Sequence, residues 1–170
     1  MRIYEGSPRQ DWEEVLRSIG AFADREQLKE LLFLELDGGF LLQGLTLPPG
    51  GASSDSYGTL TKRTYELTDE QVAQLIEERT ALRGTGVNGV PAEEVTNFYE
   101  HAMRVVGAYL DKQSQRDLFF FEQEGSFVLR LLVITAGKPG AHQLVEFTRD
   151  DILAMIQAAP EYREGAAPPA

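Results

Sequence analysis

Apolar residues recur along this chain at two periods that alternate in blocks, first the spacing of a helix and then that of strands. Trp12, Val15, Leu16, Ile19 and Phe22 form a helical stripe, which predicts a helix ending near Asp24. Ahead of it, Ser7-Pro8-Arg9-Gln10 has the form of a capping box, with Pro8 at the first helical position. Leu31 to Leu36 and Phe40 to Leu47 then flank Asp37-Gly38, a strong hairpin signal. With a two-residue turn, Glu35 faces Phe40 and Phe33 faces Leu42, so these four share one sheet face. Leu32, Leu34 and Leu41 share the other. A third strand, about Thr59 to Leu67, runs into Thr68-Asp69-Glu70-Gln71, where Thr68 is a fitting N-cap for a second helix buried through Val72, Leu75 and Ile76.

The whole block is then repeated. Trp12 to Leu45 aligns without a gap on Tyr99 to Leu132, an offset of 87 with 12 identities in 34 positions. Glu13/Glu100, Arg17/Arg104, Gly20/Gly107, Ala21/Ala108 and Asp24/Asp111 are among them, as are Phe33/Phe120, Glu35/Glu122, Gly38/Gly125, Phe40/Phe127 and Leu42/Leu129. After a shorter loop, Tyr65 to Thr68 aligns on Val145 to Thr148, and Val72 and Ile76 on Ile152 and Ile156. Two copies are too few for a solenoid, so the fold expected is α+β, a tandem duplication of a helix, three-stranded antiparallel meander, helix unit about a pseudo-twofold axis. The units span 1–83 and 91–159, joined by a linker at 84–90 and followed by a disordered tail at 160–170. Pro91 and Glu93-Glu94 open the first helix of the second unit.

The repeat also assigns faces. Each sheet must cover one face with its own helices, and the retained Phe33, Phe40 and Leu42 with Phe120, Phe127 and Leu129 suit that role. Leu32, Leu34 and Leu41 in the first copy and Phe119, Phe121 and Val128 in the second are left for a partner-binding or inter-repeat face. The arrangement expected is two sheets packed on each other through these residues. The alternative is that the sheets join edge to edge, leaving an open apolar face for a second copy, as a homodimer, or for a client segment.

Sixteen basic against twenty-seven acidic residues give a formal net charge of −11, and the basic residues are scattered, so nucleic-acid binding is not expected. The chain has no cysteine, which removes disulfides and thiolate metal sites and fits a reducing compartment, the cytoplasm. Met1 to Gln10 lacks the pattern of a signal peptide, and no apolar run is long enough to span a bilayer, so no membrane role is expected.

Candidate chemistry is sparse. Gly84 to Gly89 satisfies GxGxxG but follows a helix instead of a strand, the wrong context for a dinucleotide site. His101 and His142 lie on different elements without counterparts in the first copy, so neither a metal nor a cofactor is expected. Glu35 and Glu122 sit on an otherwise apolar sheet face and need partners, for which Arg17 and Arg104, in structural polar pairs, or backbone donors near the hairpin turn are the candidates. Gly20-Ala21 and Gly107-Ala108 mark a close approach, either of helix on helix or of helix on sheet. The Gly-, Pro- and Ser-rich loop Pro48 to Gly58 is full length in the first copy alone.

The helix–strand–strand–strand–helix order, the pairing of units and the acidity resemble the type III secretion chaperone group. That resemblance implies helices on an antiparallel sheet and a non-catalytic, protein-binding or chaperone-like adaptor. A small enzyme or ligand sensor with a pocket between the repeats is the competing expectation. The same element order is found in restriction-type nucleases, but Glu35-Leu36-Asp37 and Glu122-Gln123-Glu124 lack their Glu-x-Lys.

Overall fold

In a computed structural model, the residues described are 12–46, 60–81, 98–113, 116–133 and 136–158. The element order is α1 (Trp12–Arg25), β1 (Lys29–Leu36), β2 (Gly39–Thr46), β3 (Thr61–Thr68), α2 (Asp69–Ala81), α3 (Phe98–Gln113), β4 (Arg116–Gln123), β5 (Ser126–Val133), β6 (Ala141–Phe147) and α4 (Arg149–Ala158). Each half is therefore a helix, a three-stranded meander and a helix. The Ser7 cap, the Pro48–Gly58 loop, the Gly84–Gly89 motif, the Pro91–Glu94 start and the tail lie outside the described residues.

The hairpin register is the one the apolar alternation dictates, with Phe33 opposite Leu42 and Glu35 opposite Phe40. Gly38 and Gly125 take φ of 81° and 82° in the two turns, a region that favours glycine. Both outer helices begin at a capping box: the Gln71 amide donates to Thr68 Oγ1 at 3.2 Å while the Thr68 amide donates to Gln71 Oε1 at 2.8 Å. Thr148 and Asp151 repeat the exchange in the second half, at 3.2 and 2.9 Å.

The arrangement of the sheets differs from the one expected. They do not stack; they join edge to edge as one six-stranded sheet in the order β3-β2-β1-β4-β5-β6. The joint is the antiparallel pair β1–β4, centred on Phe33 opposite Phe120, two residues that are equivalent in the repeat. The pseudo-twofold axis therefore passes between them. On the helix side an aromatic row crosses the four central strands, Phe40 to Phe33 to Phe120 to Phe127, with ring centroids 5.0, 5.2 and 5.7 Å apart. Each such contact is worth about 0.5–1.5 kcal/mol beyond area burial. This continuous row gives the two units one shared core, into which α1 sends Val15, Leu16 and Ile19, α3 sends Met103, Val106 and Leu110, and the outer helices send Val72 and Ile152.

Candidate functional site

The retained residues of α1 and α3 meet one another. A Cβ on Gly20 would stand on the carbonyl oxygen of Tyr99, and one on Gly107 on the carbonyl oxygen of Trp12. Trp12 and Tyr99 are themselves equivalent positions, so the two contacts are one contact seen twice, and the glycines serve helix-on-helix approach.

That approach lets each helix end be capped by the other. Asp111 accepts from the amides of Trp12 and Glu13 at 2.9 and 3.1 Å, and Asp24 accepts from those of Tyr99 and Glu100 at 3.1 and 2.9 Å. An aspartate near the last turn of one helix thus satisfies first-turn donors of its antiparallel neighbour, where the helix dipole also favours negative charge. Ion pairs follow the same symmetry, Arg17 Nε with Glu100 at 3.1 Å and Arg104 with Glu13. These bridges run between the copies.

Glu122 belongs to the same seam. It accepts from the Tyr99 hydroxyl at 2.6 Å and from the Leu31 amide at 3.2 Å. In β1 two residues, Glu30 and Leu31, stand against one on β2, and β4 repeats this irregularity between Arg116 and Phe119. Such a bulge takes an amide out of the ladder, and Glu122 receives it. Burial pushes the Glu122 carboxyl up, against the lowering effect of its two donors. Burial likewise raises Asp24 to about 6, opposed by the Glu100 and Tyr99 amides, and raises the Tyr99 phenol, helped by Glu122. Shifted carboxylates often mark reactive sites. Here both carboxylates already accept backbone amides, which is a structural task.

The opposite side of the sheet is chemically simpler. Register places Leu41, Leu34 and Phe119 in one row across β2, β1 and β4, and Leu32, Phe121 and Val128 in the next row across β1, β4 and β5. All six positions proposed for a partner-binding or inter-repeat face thus come together, at the pseudo-twofold, though not between repeats. Phe119 is placed by register alone. Leu32, Leu34, Leu41, Phe121 and Val128 are half-buried by their neighbours. Gln43 and Arg130 flank the rows, with Glu66 and Glu146 at their outer ends.

His101 lies on α3 and His142 on β6. Among the described residues no group of three or more His, Cys, Asp or Glu side chains could hold a metal ion, and no helix is long and apolar enough to cross a membrane. No family model, curated protein or solved structure matches the chain.

The reciprocal caps were missed by sequence reasoning. Their signal was present, because Asp24 and Asp111 are identical in the repeat; what the sequence did not show was that α1 and α3 run antiparallel in contact.

Proposed function

We propose that this chain is a non-catalytic, chaperone-like adaptor that holds an apolar segment of another polypeptide against the open face of its sheet. The observation that carries this is the sidedness of the molecule. All four helices contribute to the single core on the Phe33 side, and among the described residues no helix or strand lies over Leu32, Leu34, Leu41, Phe121 and Val128. Fully burying side chains of this kind is worth about 1.5–3 kcal/mol each, so an apolar segment laid across two adjacent rows gains stability from several at once. The half-buried carboxylates of Asp24 and Glu122, engaged by backbone amides, support a scaffold role over a reactive one. A second copy stacked face on face would bring two chains of formal net charge −11 to a sheet separation of about 10 Å, so a segment of a different protein is the better occupant.

The test is suppression of aggregation of the reduced insulin B chain, used as an unfolded client. The native chain is expected to hold the client at near-equimolar ratio. Leu41→Asp and Val128→Asp, with unchanged melting temperature, are expected to need several-fold more protein. Failure of the native chain to hold the client, or equal activity in folded face variants, would overturn the proposal.

A further inference from the structure

Strands β3 and β6 occupy equivalent positions at the two edges of the sheet, yet they present different side chains. β3 carries Lys62, Arg63 and Glu66, all exposed, the kind of charges that keep an edge from pairing. β6 carries Leu144, 71% exposed and the most exposed large apolar side chain among the described residues. Among the described residues β5 is the only strand neighbour of β6, and none of them pairs with its outer row of amides and carbonyls, which leaves that row for another strand.

We propose that two copies of the chain join antiparallel through β6, about a twofold axis at Leu144. In this register Leu144 stands opposite the partner's Leu144, and His142 stands opposite the partner's Glu146, an imidazole facing a carboxylate on the same sheet face. Sliding the register by two residues places Leu144 against the partner's Glu146 or the partner's His142, so the self-opposed register is the complementary one. A one-residue slip would put the helices of the two copies on opposite sides.

The chain already uses this device internally, joining two units antiparallel about the equivalent residues Phe33 and Phe120. Helix α4 packs on β5 and β6, so the joint also brings the α4 helices of the two copies towards each other. Edge-on joining keeps the sheet centres roughly six strand spacings, about 29 Å, apart, well beyond a Debye length of about 8 Å. The acidity that disfavours face-on stacking is therefore little felt.

The absence of cysteine makes the test direct. Residues directly opposed across an antiparallel pair have Cα atoms about 4.5–5.5 Å apart, within disulfide reach. Leu144→Cys is expected to form an intermolecular disulfide nearly completely under mild oxidation at low micromolar concentration, and Thr64→Cys, the equivalent position on β3, is expected to remain uncrosslinked. In sedimentation the native chain is expected to be dimeric, and Leu144→Lys to weaken association by roughly tenfold or more while its melting temperature is unchanged. A native chain that is monomeric at tens of micromolar overturns the proposal. So does a dimer that survives Leu144→Lys but is lost in Phe121→Asp, since the copies would then meet through the open face.

Discussion

The two ends of the α1–α3 pair are built from the same residues and do not carry the same chemistry. At one end Asp111, exposed, caps Trp12 and Glu13; at the other Asp24, half-buried, caps Tyr99 and Glu100. Trp12 offers no hydroxyl, whereas Tyr99 extends its end of the seam into the sheet by donating to Glu122. The symmetric parts are the glycine contacts, the aspartate caps and the cross-copy ion pairs, which together bring the two units into register. The asymmetric part is burial, and burial decides how much a charge costs. Duplication thus fixes a shared skeleton of contacts while each copy remains free to set the polarity around it.

The largest expected effect falls on the symmetric part. Gly20→Ala and Gly107→Ala each place a methyl group against backbone of the facing helix, so the helices must separate and loosen caps and ion pairs together. Helix propensity alone would stabilise either variant by about 1 kcal/mol. Overpacking is expected to win, with a net loss of about 2 kcal/mol in urea denaturation, similar at both sites. A gain in stability at either site, or a large difference between them, would break the symmetry of the contact.

A smaller effect separates the ends. Asp24 is raised to about 6 from an ordinary 3.8, so the folded chain holds this proton more tightly than the unfolded chain does. Its contribution to stability is fully present below about 3.8 and is lost as pH rises through about 6. Between pH 7 and pH 4 the native urea midpoint should therefore rise more steeply on acidification than that of Asp24→Asn, which keeps an acceptor but cannot titrate. If Asp24→Asn kept the native slope, the assignment of this pH dependence to the buried cap would be wrong.

Much of this fold was legible because its signals are local. Asp37-Gly38 with the alternation of Phe33, Glu35, Phe40 and Leu42 specifies a hairpin and its faces, and Thr68 with Gln71 specifies a helix start. The gapless match of Trp12 to Leu45 with Tyr99 to Leu132 gave the duplication. How the two meanders meet was not legible, because a first strand apolar on both faces suits a stacked sheet as well as a central strand of a continuous one. The cross-copy bridges were not legible for a related reason: equivalent residues of a pseudo-twofold pair meet across the axis, so Arg17 reaches Glu100 and Arg104 reaches Glu13 in the other copy. Alternation along each strand fixes which side of the sheet a residue takes; what covers that side is not encoded in alternation.

The arrangement of the sheet underlies the open face, and one distance tests it. Spin labels at Thr64→Cys and Leu144→Cys in one chain, diluted with unlabelled chain, report the separation of the two edge strands by pulsed dipolar spectroscopy. In the six-stranded sheet, five strand spacings lie between β3 and β6, giving an expected backbone separation of about 24 Å. Two sheets packed face to face would bring the same labels to roughly 10 Å, and that result would contradict the single sheet and its open face together.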